Sequence, residues 1–78
     1  MHKSEASIVL DVKGLHCPMP VLRTKKAIDS LGTEQVLQVI ATDPASKADI
    51  PALLGRLGHE LLELREEGGE FSFLIKKK

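Results

Sequence analysis

The chain has 78 residues, the size of one small domain. Eleven Lys and Arg balance eleven Asp and Glu, so there is no field of one sign to hold a nucleic-acid backbone without sequence preference. Its two aromatic residues, Phe71 and Phe73, supply little for base stacking, and no apolar run approaches the roughly 20 residues that a helix needs to cross a bilayer.

The polar start carries no signal-peptide pattern, so the expected location is cytoplasmic, with no membrane partner. One cysteine, Cys17, excludes an intramolecular disulfide, a Cys-x-x-Cys redox pair and a zinc knuckle. A single domain of this size buries only about 60% of the surface of its unfolded chain. Without a disulfide or metal staple, its apolar residues must therefore be well placed.

Residues 1–6 are polar and are expected to fray. Ser7 to Val12 alternates, with Ile8, Leu10 and Val12 on one side and Val9 and Asp11 on the other, which predicts a strand. Gly14 opens a loop through Cys17. From Pro18 to Leu31 the spacing is helical, with Val21, Thr24, Ile28 and Leu31 on one face beside Ala27 and a stop expected at Gly32. Val36 to Thr42 reads as a second strand and Asp43-Pro44 as a turn. A second helix falls within Ser46 to Leu57, with Ile50, Leu53, Leu54 and Leu57 as its apolar stripe. Pro51 is expected in its first turn, with Asp49 as N-cap and Gly58 as terminator. Leu62 and Leu64 alternate with Glu63 and Arg65 in a third strand. Glu67-Gly68-Gly69-Glu70 predicts a type I′ hairpin into a last strand carrying Phe71, Phe73 and Ile75 inward.

The order β-α-β-α-β-β predicts an α/β (α+β) two-layer sandwich. The first β-α-β unit is a right-handed parallel crossover, and both helices cover one face of a four-stranded mixed sheet. Asp11, Gln38, Glu63, Arg65 and Ser72 then face away from the core.

Cys17 is the strongest candidate nucleophile. Standing before Pro18, the residue type favoured at a first helical position, it is expected to be the helix N-cap, where the partial positive charge of the helix start favours thiolate. Pro20 has no N–H, leaving Met19 and Val21 as donors near the sulfur. Two prolines stiffen the turn. The bland alternative is a small buried hydrophobe. A single exposed thiolate cannot cycle as a dithiol, and no Ser, Asp or Asn is placed by sequence to complete a triad with His16 or His59. It can accept a group, hold it and pass it on, and a persulfide suits such a thiolate best.

Gly14-Leu15-His16-Cys17-Pro18-Met19-Pro20, followed by Lys25-Lys26, resembles the Cys-Pro-x-Pro signature of the TusA/SirA family of sulfur carriers. Asp43-Pro44-Ala45, Asp49-Ile50-Pro51, His59-Glu60-Leu61 and the basic ending after Leu74-Ile75 agree, so the resemblance runs from Leu10 to Lys77 as a single TusA-like domain. It implies the same sandwich and a persulfide on Cys17 with no separate cofactor. It also implies a donor such as a cysteine desulfurase or rhodanese, and an acceptor in tRNA 2-thiouridine formation, molybdenum cofactor synthesis or sulfur oxidation. Some members carry a second cysteine where this chain has Leu54; none can assist here.

His16 is a candidate hydrogen-bond donor to the sulfur or simply a solvated loop residue. Met19 is a partner contact or core packing. Arg23, Lys25 and Lys26 form the basic cluster near Cys17, either a solvated helix face or a surface that steers acidic partners. His59 is expected as a cation at the end of the second helix. Asp11 and Asp43 are expected to bond backbone N–H groups at their turns. The Glu-rich hairpin is expected to be a solvated face, and Lys76 to Lys78 a solubilising tail. No metal site is expected, and a relay protein gains from being a monomer. Two alternatives stay open: a noncatalytic regulatory, RNA-binding or protein-binding module with a structural Cys17, and a selenium-linked branch of the same family.

Overall fold

The computed structural model describes residues 6–78, so residues 1–5 of the segment expected to fray lie outside the described residues. Six elements follow in the expected order: β1 (Ile8–Val12), α1 (Met19–Asp29), β2 (Val36–Ala41), α2 (Ser46–Leu57), β3 (Glu60–Glu67) and β4 (Glu70–Lys76). The strands lie in the order β1-β2-β4-β3, with β1 parallel to β2 and the other neighbours antiparallel.

The two central strands carry the core. Leu37, Val39 and Ala41 of β2 and Phe71, Phe73 and Ile75 of β4 alternate inward and are buried, joined by Val12 from β1. Both helices close this one face: Ile28 comes from α1, Ile50 and Leu54 from α2, and Leu31 from just past α1. The opposite face keeps its polar residues, and Gln38 Nε2 donates to Ser72 Oγ across β2 and β4 at 2.9 Å. The hairpin turn is as expected, with positive φ at Gly68 (59°) and Gly69 (83°) between the paired Glu67 and Glu70.

Several local expectations need correction. In β3 a bulge between Leu61 and Glu63 adds one residue, so Leu61 opposes Ile75 and Leu64 opposes Phe73. Leu62, expected inward with Leu64, is the extra residue and is exposed. Leu57, at the last position of α2, is also largely outside the core. In α2 the N-cap is Ala45, not Asp49, because the chain winds up early: Ser46 N–H donates to the Asp43 carbonyl (2.9 Å), and Asp49 N–H to that of Ala45 (2.9 Å). Pro51 therefore lies inside the helix, past the first turn, where it removes one backbone bond.

Gly58, in the left-handed region at φ 82°, does end α2. Gly32 does not end α1; the helix tightens instead, with Ser30 N–H and Leu31 N–H donating to the carbonyls of Ala27 and Ile28. The last lysines are tied in. Lys77 exchanges backbone bonds with Glu34 and Gln35, and its Nζ donates to the Leu31 carbonyl at 2.9 Å. His59 follows Gly58 at the end of α2, and its Nδ1 accepts from Lys78 N–H at 3.2 Å.

Thr24 is fully buried on the inner face of α1, and its Oγ1 has no hydrogen-bond partner among the described residues. A buried hydroxyl without a partner costs about 1–3 kcal/mol. Thr24→Val should therefore raise the urea midpoint, by about 1 kcal/mol of stability. Phe73→Ala should cost about 3–5 kcal/mol, a large share of the roughly 4–12 kcal/mol expected of a chain this long. Urea titration followed by circular dichroism checks both; unchanged midpoints would contradict the packing described.

Candidate functional site

Parallel pairing of β1 and β2 sets the site. The register matches Val12 with Ala41, so both strands stop level and their following loops leave the same end of the sheet. The β1–α1 loop carries Cys17 and the β2–α2 loop carries Thr42 and Asp43. Two hydrogen bonds stitch them: Gly14 N–H donates to Thr42 Oγ1 at 2.9 Å, and Cys17 N–H donates to Asp43 Oδ2 at 2.7 Å. The other oxygen of Asp43 accepts from Ala45 N–H at 3.2 Å. The turn role expected of Asp43 is present, and the bond to Cys17 is an addition that sequence reasoning missed. Asp11 likewise bonds the Lys13 N–H, at 2.9 Å, and that bond lowers its pKa.

Gly14 takes φ 82° to turn the chain out of β1. Cys17 is exposed and free. It is not the N-cap: Met19 is the first residue of α1 and Pro18 the cap, joined to Cys17 by a cis peptide. Met19 N–H is not available to the sulfur either, because it donates to the His16 carbonyl at 2.8 Å. Pro20, now at the second helical position, is buried where its missing N–H would have lacked a helical partner in any case.

The electrostatics of the thiol run opposite to expectation. The Asp49 carboxylate near Cys17, acting as an acceptor that favours the protonated sulfur, pushes the thiol pKa up. Lost hydration and the charges of Asp49 and Asp43 add to the rise. Asp49, Ala52 and Arg56, spaced along one stripe of α2, line a shallow cleft of about 210 Å3 with Cys17, Pro18 and Val21. Asp49 and Arg56 had no site role in the sequence reading. The available signal was the position of Asp43-Pro44 directly after β2, matching that of the cysteine loop after β1.

The remaining candidates divide. His16 is exposed, and the groups acting on the thiol are Asp49 and Asp43. Lys25 pairs with Asp29 at 2.8 Å, which leaves Arg23 and Lys26 on a different surface. There they line a groove of about 570 Å3 with Leu10, Met19, Leu22, Ala27 and Ser30. Met19 and Leu22 are exposed apolar residues on it. Among the described residues no cluster of His, Cys, Asp and Glu could hold a metal ion, and no helix is long and apolar enough to cross a membrane.

Residues 8–77 match the family described as sulfurtransferase TusA. A protein of Allochromatium vinosum named sulfur carrier protein TusA is 54% identical over 68 residues, 87% of this chain and 90% of its own. A Pseudomonas putida protein of the same name is 46% identical over 70 residues, 90% of this chain and 88% of its own. The crystal structure of a SirA-like protein from Desulfitobacterium hafniense superposes with a TM-score of 0.79 at 28% identity, covering 88% of this chain and 95% of that one. The match takes in every strand, both helices and the Cys-Pro-x-Pro loop between β1 and α1, and on that extent this chain belongs to the TusA family of sulfur carriers.

Proposed function

We propose that Cys17 accepts sulfane sulfur as a persulfide from a donor enzyme, a cysteine desulfurase or rhodanese, and passes it to an acceptor protein. The carrying observation is the presentation of this chain's one cysteine: exposed, on a loop stiffened by Pro18 and Pro20, with its backbone held by Asp43 at 2.7 Å. That exposure counts against a structural cysteine. The adjoining cleft, about 210 Å3, is smaller than most small-molecule sites, which suits exchange between protein surfaces.

In this reading the Cys17 sulfur attacks the terminal sulfur of the donor's persulfide. A new S–S bond forms to Cys17 and the donor's own S–S bond breaks. The donor cysteine leaves as a thiolate and takes up the proton that Cys17 gives away. One thiol and one persulfide enter and one of each leave, so no outside oxidant or reductant is needed. Delivery repeats the exchange, with the acceptor's nucleophile attacking the terminal sulfur and Cys17 leaving. The sulfur is carried covalently, without a separate cofactor. The groove on α1, apolar at Met19 and Leu22 with Arg23 and Lys26 at its edge, suits docking of a partner with an acidic rim. A monomer in the cytoplasm, with no direct nucleic-acid contact, completes the reading.

Intact-protein mass spectrometry after incubation with a cysteine desulfurase and cysteine should show a gain of one sulfur atom that reductant removes and that maps to Cys17. Cys17→Ser should keep the fold and gain none; loading of that variant would sink the proposal. Leu22→Asp should slow loading from the enzyme about tenfold, the cost of losing one apolar anchor of an interface. Its alkylation by iodoacetamide should stay unchanged. Equal loading by wild type and Leu22→Asp would remove the α1 groove from the docking surface.

A further inference from the structure

An exposed thiol is open to every small electrophile and sulfur compound in its surroundings, and here it stands beside two half-buried carboxylates. Asp43 holds the Cys17 N–H at 2.7 Å from the β2–α2 loop, and Asp49 lines the same cleft as the sulfur from the first turn of α2. The charged groups facing this thiol are thus Asp43 from that loop and Asp49 and Arg56 from α2. Val21 lines the cleft from α1, and His16 precedes Cys17 on its own loop. Arg56 lies seven residues beyond Asp49, roughly 10 Å along the helix axis, and no ion pair joins them among the described residues. The sulfur end of the cleft is therefore anionic.

We infer that Asp49, together with Asp43, is an anionic gate on Cys17, which keeps the free carrier's sulfur closed to small anionic sulfur compounds until a cationic side chain of a docked protein donor neutralises it. The inference rests on the carrier reading above and adds the specificity of that site. Asp49 is a positioning residue. It takes no proton in the exchange, because a carboxylate is a far weaker base than a thiolate. Its charge disfavours thiolate, and the thiolate is the nucleophile. A lysine or arginine placed against Asp49 by the donor would cancel that charge at the moment the two sulfurs meet. Small anions such as glutathione persulfide carry net negative charge, have no protein surface to hold a cation against Asp49, and are repelled by the same carboxylates.

The test compares wild type with Asp49→Asn, which keeps the size and removes the charge. Alkylation by neutral iodoacetamide is followed against pH, and the rate with anionic iodoacetate is taken at one pH and low salt. Asp49→Asn should lower the pH midpoint. It should raise the iodoacetate-to-iodoacetamide rate ratio about fivefold, the effect of removing a unit charge about 4 Å away in water-like surroundings. Loading from glutathione persulfide should rise by a similar factor, while loading from a cysteine desulfurase should not. An unchanged midpoint and ratio, or equal acceleration with both donors, overturns the gate. A measurement on wild type alone guards against a variant that misfolds: its rate ratio should climb with added salt as the carboxylates are screened, and a level or falling ratio also overturns it. Failure of the carrier reading looks different, since wild type would then take sulfur from neither donor while both alkylation experiments still decided the role of Asp49.

Discussion

One carboxylate, that of Asp43, holds the working end of this molecule together. Its two oxygens accept from Cys17 N–H and Ala45 N–H, so a single side chain ties the cysteine loop to the start of α2. Bonds from a backbone amide to an ionised acceptor are among the stronger ones, and this one spans 26 residues of chain. The Thr42 bond to Gly14 N–H reinforces it at the other end of the loop. Neither would reach if β1 and β2 did not end level, and that register comes from matching Ile8, Leu10 and Val12 with Leu37, Val39 and Ala41 on the covered face. Sheet packing thereby decides where a sulfur atom sits.

The frame behind the site is unevenly built. Burial concentrates in β2 and β4 and thins toward the edge strands, where Ile8, Val9, Leu62 and Leu64 stay exposed. The bulge in β3 and the charges along it, with Lys47 reaching Glu66 at 3.1 Å and resting over the Phe71 ring, guard that edge against further strand pairing. Cys17 lies outside this core, on a segment whose order depends on two prolines and a few hydrogen bonds. A group that must enter partner proteins is best carried where its presentation costs the core nothing.

Exposure brings a hazard, because an accessible thiolate is also the form most readily oxidised or captured. The positive end of α1 alone would favour that form. The carboxylates of Asp49 and Asp43 act in the opposite direction and push the thiol pKa up. Charge is also divided over the surface: Asp43 and Asp49 stand beside the sulfur, with Arg56 on the same cleft, while Arg23 and Lys26 edge the α1 groove. A partner bearing a cation at its centre and acids at its rim would match both features.

Local pattern by itself determined the element order, the hairpin glycines, the end of α2 at Gly58 and most of the core, because these follow from side-chain period and backbone preference within a few residues. The Cys-Pro-x-Pro block singled out the reactive sulfur for the same reason: its chemistry is written in consecutive positions. The bulge at Leu62 escaped, since a one-residue insertion only registers against a partner strand. The early start of α2 escaped as well, since Pro51 outweighed the turn formed from Asp43 onward. The surroundings of Cys17 were decided by tertiary structure alone. Asp43 and Asp49 stand 26 and 32 residues away in sequence, and only the parallel crossover and the packing of α2 beside the start of α1 bring their charges to the sulfur. Local pattern could place a thiol before a helix, but electrostatics depends on distance in space, and that reversed the direction in which its pKa moves.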